Sequence, residues 1–299
     1  MNDFLEAKPW SSWLLAARPK TLTAALVPIV VATLLARADT GIVTWKISIY
    51  ALLASFFIQI GTNLFNDALD YKKGADTSAR LGPVRVTQSG LLTEEQVLTG
   101  GMICFALAAL FGIPLIFTGG WPLAVILIIS VLSGYFYTGG PKPLAYSGLG
   151  DPFVTIFFGF VATVSVYYLQ TGVVSFGSFL AGAQIGLLIT ALLAVNNLRD
   201  IEGDAKSNKR TLPVRFGRTF GRVEISILIL LPFALSSVWI GSGYPYAGIL
   251  PWAAFPLGTM VVRGIWTNEP GRIYNTFFGM TALLHLVFGV LLSLGLSLR

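Results

Sequence analysis

Long apolar segments separated by short polar ones are the dominant pattern of this sequence. A helix of roughly 20 apolar residues crosses the hydrocarbon core of a bilayer. The segments are continuously apolar rather than alternating, so they predict membrane-spanning helices and not the strands of an outer-membrane barrel. The nine predicted spans are residues 21–36, 45–66, 97–117, 121–138, 151–169, 176–198, 222–241, 245–262 and 273–297.

Composition supports this membrane interpretation. The 299 residues are 55% hydrophobic and 11% charged, with a mean hydropathy of +0.74, whereas soluble domains contain about 25% charged residues. We therefore predict an all-α, polytopic membrane protein whose residues 1–299 form a single domain. Within an N-terminal segment, residues 1–20, the stretch 8–18 combines two tryptophans with a basic end and predicts an amphipathic helix at the membrane surface.

The basic residues predict the orientation, because cytoplasmic loops carry an excess of Lys and Arg. If the N-terminus lies in the cytoplasm, all but three of the 20 Lys and Arg residues lie on the cytoplasmic side; the three outside are Arg37, Lys46 and Arg299. This favours nine spans in the inner (plasma) membrane; the main alternative is seven spans with two hairpins divided differently. The net charge of +6 then reflects topology and indicates no nucleic-acid partner.

Two polar stretches, 63–76 and 196–204, end apolar segments on the predicted cytoplasmic side. Both contain the pattern Asn-x-x-x-Asp. Residues four apart lie on one face of a helix, so each stretch is expected to present a column of oxygen atoms at a helix end. The residues with this spacing are Asn66 and Asp70 in the first stretch, and Asn196, Asp200 and Asp204 in the second.

Clusters of carboxylate and amide oxygens suit a hard cation such as Mg²⁺, which binds through a few carboxylates plus substrate phosphates. The one cysteine, Cys104, and the one histidine, His285, are too far apart in sequence for a His/Cys metal site. Solvated helix ends are the simpler explanation of one acidic cluster, but two clusters with matching spacing argue against it. The candidate metal ligands are Asn66, Asp67, Asp70, Asp76, Asn196, Asp200 and Asp204.

Basic residues beside the acidic clusters extend this prediction to a diphosphate. Lys and Arg bind phosphate oxygens by charge-assisted hydrogen bonds, and a metal stabilises diphosphate as a leaving group. An apolar interior behind such a site suggests a lipid diphosphate. Ionisation of an allylic diphosphate leaves a carbocation, which the faces of aromatic rings would stabilise. Basic candidates are Lys72, Lys73, Arg80, Arg85, Arg199, Lys206, Lys209 and Arg210, and aromatic candidates include Tyr137 and Tyr146.

Several short motifs resemble a known family over nearly the whole chain. They are Arg18-Pro19-Lys20-Thr21, the segment 66–76, Tyr137-Thr138-Gly139-Gly140-Pro141, Leu144-Ala145-Tyr146, and 196–204 followed by Lys209-Arg210-Thr211-Leu212. Together they resemble the UbiA superfamily of intramembrane aromatic prenyltransferases, and within it the MenA branch of 1,4-dihydroxy-2-naphthoate polyprenyltransferases. Gly74 stands where the wider superfamily often has a third Asp, which favours this branch.

The resemblance implies a UbiA-type bundle and Mg²⁺-dependent transfer of a polyprenyl group from its diphosphate to dihydroxynaphthoate, with loss of CO₂ and diphosphate, giving a demethylmenaquinol in menaquinone biosynthesis. Substrates and membrane lipid are then the partners. The implied catalytic residues are Asp70, Asp200, Asp204, Tyr137 and Tyr146. The implied substrate-binding residues are Asn66, Asn196, Lys20, Lys72, Lys73, Arg80, Lys142, Arg199, Lys206, Lys209 and Arg210. Asp67 and Asp76 are weaker metal candidates, and Lys142 ranks high because it lies alone on a glycine-rich loop.

Two kinds of alternative stay open at this point. A related enzyme would use a phytyl donor, or would prenylate 4-hydroxybenzoate or homogentisate. An ion-coupled transporter would instead use the acids as a cation path, but that function expects polar residues near the bilayer midplane on broken helices. Here the acids lie at one end of the predicted spans.

Overall fold

The computed structural model describes residues 9–76 and 80–298, which form helices joined by short loops. Residues 1–8 of the predicted N-terminal segment and Arg299 lie outside the described residues. The helices are α1 Pro9–Ala17, α2 Thr23–Thr40, α3 Trp45–Lys72, α4 Glu94–Gly119, α5 Trp121–Phe136, α6 Gly150–Thr171, α7 Phe176–Arg199, α8 Ile201–Lys206, α9 Leu212–Phe216, α10 Arg218–Gly241, α11 Pro245–Thr267 and α12 Tyr274–Ser297.

Among the described residues, 8 helices are long and apolar enough to cross a membrane. The predicted span 121–138 corresponds to α5, which is apolar but only 16 residues long, so the count of nine stays a prediction. Large apolar side chains such as Phe117 and Trp121 are strongly exposed on the bundle surface, as expected of side chains that face lipid. The predicted all-α membrane fold is confirmed.

Helix boundaries near the acidic motifs differ from the predicted ones. Helix α3 continues to Lys72, so Asn66 and Asp70 belong to its last turns. Helix α7 ends at Arg199, and Asp200 joins it to α8. The second motif therefore extends across a break between two helices. Backbone hydrogen bonds from Asp200 N to Asn196 O (3.1 Å) and from Asp204 N to Asp200 O (2.8 Å) nevertheless keep the four-residue spacing through the break.

Helix α7 is the most buried of the candidate spans and packs against α2, α6, α10 and α12. Its contact with α6 is close because glycines meet there. A Cβ on Gly159 would lie 2.5 Å from the carbonyl oxygen of Gly182. Gly159 belongs to a π-helical segment of α6, Thr155–Val161, and such segments are frequent at functional sites. The packing fixes α6 beside the second acidic motif.

A polar cluster ties the helices together at the end of the bundle opposite the acidic motifs. Asp39 of α2 accepts hydrogen bonds from the hydroxyl of Tyr167 on α6, at 2.6 Å, and from the hydroxyl of Tyr244 before α11. Gln170 of α6 also bonds the backbone of Thr44 in both directions, at 2.9 and 3.1 Å. Charged-group hydrogen bonds of this kind stabilise more than neutral ones, so this end holds the helices in register.

Candidate functional site

A cavity of about 320 Å³ runs through the bundle. Its lining on α3 extends from Ala51 to Asp70, which at 1.5 Å rise per residue corresponds to about 28 Å. The hydrocarbon core of a bilayer is about 30 Å thick. The end near Asp70 is polar, whereas Leu123 and Leu169 line the far end. The cavity therefore joins a polar head to a long apolar shaft.

Asp70 lies at the polar head and is buried. Its Oδ1 accepts a hydrogen bond of 2.8 Å from the hydroxyl of Tyr146, and its Oδ2 lies 3.4 Å from Nη2 of Arg85. Asn66, one turn earlier on α3, lines the same cavity. The predicted pairing of Asn66 with Asp70 on one helix face is thus present in the structure.

The other two acids of the first stretch contact the loop that follows α3. Asp67 accepts hydrogen bonds from the backbone N–H groups of Val86 (3.2 Å) and Thr87 (2.9 Å). Asp76 pairs with Arg80 and lies 3.1 Å from Nε of Arg85. Burial raises the pKa of Asp76 to about 6, against the opposing effect of the Arg80 charge. Neither acid is among the described residues that line the cavity; both hold the loop in place.

In the second motif, Arg199 organises the surrounding polar groups. Its Nε and Nη2 donate to the two carboxylate oxygens of Asp200, at 2.8 and 2.6 Å. Nη2 also donates to Asn196 Oδ1 (2.7 Å), and Nη1 donates to Asn275 Oδ1 (2.8 Å) on α12. Arg199 is only 2% exposed and is not among the described cavity-lining residues. Its bidentate hydrogen bonds therefore hold Asp200 and Asn196 in position from outside the cavity lining.

Asp204 completes the acidic head. Burial raises its pKa to about 6; Lys209 opposes this shift, whereas the carboxylates of Asp200 and Asp70 add to it. Lys209 Nζ lies 3.9 Å from Asp204 Oδ1. Burial alone would lower the pKa of Lys209, but the carboxylates led by Asp204 raise it above its ordinary value. The three acids of the two motifs thus affect one another across the cavity.

Tyr146 connects the loop 137–149 to the first motif and to the segment after the second motif. Besides its bond to Asp70, its backbone oxygen accepts from Arg210 N at 3.1 Å. Lys73 Nζ and Lys209 Nζ lie 4.7 and 5.7 Å from the centre of its ring, within range of cation–π attraction. Burial and then the Asp70 carboxylate raise the pKa of Tyr146, so its hydroxyl stays protonated and remains a donor.

The remaining predicted basic residues take other positions. Lys72 pairs with Glu94 at 3.3 Å and is largely exposed. Exposed side chains that are not among the described cavity-lining residues are those of Lys20, Lys142, Lys206 and Arg210. Tyr137 and Arg80, in contrast, line the cavity.

Several cavity residues had no assigned role in the sequence prediction. Arg18 lines the polar head with left-handed backbone geometry (φ 53°), and its Nη2 is buried with no hydrogen-bond partner among the described residues. Its position directly before Pro19 was the available signal. The other unassigned polar residues lining the cavity include Asn63, Asp151 and Asn197.

The oxygen donors at the head suit a divalent cation of the Mg²⁺ type. Among the described residues, no three His, Cys, Asp or Glu side chains gather into a complete ligand set. Mg²⁺ ordinarily takes one or two carboxylates and fills its shell with water and substrate phosphate. The oxygen-bearing residues from the two motifs that line the cavity are Asn66, Asp70, Asn196, Asp200 and Asp204. Burial, and then repulsion from Asp200 and Asp70, raises the pKa of Asp204, and a bound cation would relieve that repulsion.

Comparisons with known proteins agree with this architecture. The chain is 32% identical to a 1,4-dihydroxy-2-naphthoate octaprenyltransferase of Bacillus subtilis, over 93% of this chain and 90% of that protein. It is 35% identical to the protein of the same name from Mycobacterium tuberculosis, over 88% and 89%. A structure of a UbiA homolog from Archaeoglobus fulgidus bound to DMAPP and Mg²⁺ superposes with a TM-score of 0.64 at 16% identity, covering 94% of this chain and 99% of that one.

The family assignment follows from the extent of these matches. Residues 25–292 match the model of the UbiA prenyltransferase family, a range that runs from the first turn of α2 to the last turns of α12. The apolar helices and this match together identify an integral membrane protein. Because the matched segment contains both acidic motifs and the cavity between them, the chain belongs to the UbiA prenyltransferase family.

Proposed function

We propose that this protein transfers a polyprenyl group from polyprenyl diphosphate to 1,4-dihydroxy-2-naphthoate, with Mg²⁺ as cofactor and with release of diphosphate and CO₂. One observation carries the proposal: two Asn-x-x-x-Asp motifs face a cavity whose far end is lined by apolar residues such as Leu123 and Leu169. The chemistry of a lipid diphosphate matches both parts. Similarity to dihydroxynaphthoate octaprenyltransferases over most of the chain supports this acceptor.

The diphosphate of the donor would lie at the polar head. There Mg²⁺ would neutralise phosphate oxygens and stabilise diphosphate as the leaving group. Asn66, Asp70, Asn196, Asp200 and Asp204 would hold the cation. Each carboxylate oxygen has two lone pairs, so Asp200 keeps acceptor capacity while Arg199 holds it.

Basic side chains would bind the phosphate oxygens that the cation leaves free. Arg18, Arg80, Arg85 and Lys209 line this part of the cavity, and Lys73 lies beside it against Tyr146. Charge-assisted hydrogen bonds from such groups are about twice as strong as neutral ones. They would fix the allylic carbon at the junction between the head and the shaft.

The apolar shaft would enclose the isoprenoid chain. The shaft is lined by uncharged residues, among them Ala51 and Ala54 on α3 and Leu123 on α5. Exclusion of water protects an allylic cation from hydrolysis, and the aromatic ring of Tyr137 stands at the junction, where it would stabilise positive charge. Phytyl diphosphate would fit the same chemistry, so direct competition between the polyprenyl and phytyl donors is needed to tell which one the protein uses.

The remaining assignments complete this proposal. The chain would form a single prenyltransferase domain in the inner (plasma) membrane, with the polar head facing the cytoplasm. Asp67 and Asp76 would act by anchoring the loop beside the head rather than by binding metal. This role agrees with the bonds of Asp67 to Val86 and Thr87.

The decisive experiment supplies purified protein in liposomes with dihydroxynaphthoate, Mg²⁺ and polyprenyl or phytyl diphosphate, and detects products by mass spectrometry. We expect prenylated naphthoquinol from the polyprenyl donor, and little product from 4-hydroxybenzoate. Asp70→Ala and Asp200→Ala should each lower turnover at least a hundredfold. Absence of prenylated product from the wild-type protein, or unchanged turnover in both variants, would refute the proposal.

A further inference from the structure

One buried acid lines the cavity outside both motifs. Asp151, in the first turn of α6, is 3% exposed, and its Oδ1 has no hydrogen-bond partner among the described residues. Buried polar atoms are nearly always hydrogen-bonded, because burial without a partner is energetically costly. Since Asp151 also lines the cavity, a ligand with a suitably placed hydroxyl would supply the missing donor.

Aromatic rings line the same cavity near the start of α6. The hydroxyl of Tyr137 approaches the start of α6 so closely that a Cβ on Gly150 would lie 3.3 Å from it. The Tyr137 ring is centred 6.4 Å from that of Phe153, and the rings of Phe153 and Phe157 stack at 4.2 Å. All three rings line the cavity. They form an aromatic wall, defined here as Tyr137, Phe153 and Phe157, next to Asp151.

A purely structural role accounts poorly for Asp151. An acid in the first turn stabilises a helix through the helix dipole, but that effect needs neither burial nor a position on a cavity. Glu224 on α10 provides the comparison. It is also a partly buried acid with an unpartnered oxygen, Oε2, yet it is not among the described residues that line the cavity.

We infer that Asp151 and the aromatic wall form the subsite for the aromatic acceptor, with the carboxylate accepting a hydrogen bond from a ring hydroxyl and the wall packing on the fused rings. The inference rests on the proposed function and adds a location for the acceptor. It places the acceptor at the start of α6, on residues outside the two motifs that would hold the diphosphate.

The chemistry of the transfer fits this placement. The ring carbon that bears the carboxylate forms a bond to the allylic carbon. At the same time, the bond between the allylic carbon and diphosphate breaks, and its electron pair leaves with diphosphate. The ring carbon then loses CO₂, and the electron pair of the broken bond restores the aromatic ring. The hydrogen bond to Asp151 raises the electron density of the ring during attack, and no net proton transfer to the protein is required.

The first test compares Asp151→Asn with the matched control Glu224→Gln in the liposome assay. Losing a hydrogen bond to a charged group corresponds to roughly a tenfold to hundredfold effect. We expect kcat/KM for dihydroxynaphthoate to fall by that factor in Asp151→Asn, with KM for the polyprenyl donor unchanged. Glu224→Gln should lower kcat/KM for the acceptor far less, because Glu224 is not among the described residues that line the cavity. Unchanged kcat/KM for the acceptor, or an equal rise in donor KM, would overturn the inference.

Binding of an acceptor analogue separates ligand contact from a structural role. The analogue 2-naphthoate retains the fused rings and carboxylate but has no hydroxyl, and its inhibition constant against the acceptor can be measured. In the wild type it should bind at least tenfold more weakly than dihydroxynaphthoate. In Asp151→Ala this difference should largely disappear. If Asp151→Ala still binds 2-naphthoate more weakly than dihydroxynaphthoate by the wild-type factor, the assignment is contradicted.

The aromatic wall is tested by Phe153→Leu and Phe157→Leu, which keep apolar volume but remove the ring. Aromatic pairs contribute about 0.5–1.5 kcal/mol beyond burial, so KM for the acceptor should rise about twofold to tenfold with donor KM unchanged. A rise in donor KM alone would assign the wall to the isoprenoid chain. If the wild type prenylates no aromatic acceptor, the proposed function fails; if it does and these variants behave as the wild type, only the subsite fails.

Discussion

The hydroxyl of Tyr146 donates a 2.8 Å hydrogen bond to the carboxylate of Asp70, a residue 76 positions earlier in the chain. The same tyrosine accepts a backbone bond from Arg210, next to Lys209. Tyr146 thus joins the loop after α5 to the first acidic motif and to the segment that follows the second. Tyr146 was predicted to stabilise a cation through its π-face, and in the structure it also forms bonds through its hydroxyl and its backbone.

Tyr146→Phe should separate the contribution of the hydroxyl from that of the aromatic ring. The variant keeps the ring but removes the donor to a charged acceptor, an effect of about 1.5–3 kcal/mol. We expect kcat/KM for the donor to fall about tenfold or more in steady-state prenyl transfer. Tyr71→Phe is the control, because Tyr71 lies on α3 at the same end but is 45% exposed. Equal activities of the two variants would contradict a role for the hydroxyl.

Arg199 should be essential to stability as well as to activity. Removing one partner of a buried ion pair lowers stability by about 3–5 kcal/mol, so Arg199→Ala should unfold at a clearly lower temperature in detergent. Arg199→Lys should restore little, because one ammonium cannot reproduce the planar fork that bonds Asp200, Asn196 and Asn275.

The control for Arg199 is Arg218→Lys. Arg218 pairs with Glu202 and Glu269 on the surface, each at 2.8 Å, where ion pairs contribute about 0–1 kcal/mol. Its unfolding temperature and turnover should stay close to the wild type. Equal destabilisation by the two lysine substitutions would show that burial of Arg199 has no special effect.

Asp67→Asn should loosen the loop after α3 without removing a cavity residue. An amide can still accept through one oxygen, but it loses the second of the two backbone bonds from Val86 and Thr87. We expect faster tryptic cleavage after Arg85, measured by mass spectrometry. Asp39→Asn changes a carboxylate at the opposite end of the bundle and should leave this cleavage rate unchanged, which sets the test apart from general destabilisation.

Removal of the divalent cation should abolish turnover and leave the fold intact. The described residues contain no complete protein ligand set for a metal, so the ion is expected to bind together with the diphosphate. Chelation with EDTA should stop prenyl transfer, added Mg²⁺ should restore it, and the circular dichroism spectrum should not change. Full activity in EDTA, or unfolding on chelation, would be inconsistent with this site.

The orientation in the membrane can be measured with single cysteines. Cys104 is the one natural cysteine, so a Cys104→Ala background allows Lys142→Cys and Val173→Cys to be labelled separately. Both positions are exposed and lie at opposite ends of the bundle. A membrane-impermeant maleimide should label position 173 in intact cells and position 142 only in inverted vesicles. The reverse pattern would place the polar head outside.

The sequence by itself determined the class of protein and the two motifs. Continuous apolar segments allow only helices that satisfy their own backbone hydrogen bonds in lipid, so the all-α membrane fold follows from composition and segment length. The four-residue spacing of Asn66 with Asp70, and of Asn196 with Asp200, is equally local, because helix geometry alone puts such residues on one face.

Tertiary structure decided which neighbours of these motifs share the site. Asp67 and Asp70 are three residues apart and differ by only about 60° around α3, yet Asp67 accepts bonds from a loop backbone whereas Asp70 lines the cavity. Asp151 and Tyr137 belong to the cavity because α6 begins beside the end of α5. Contacts between segments distant in sequence depend on how the helices pack, and no local pattern encodes that packing.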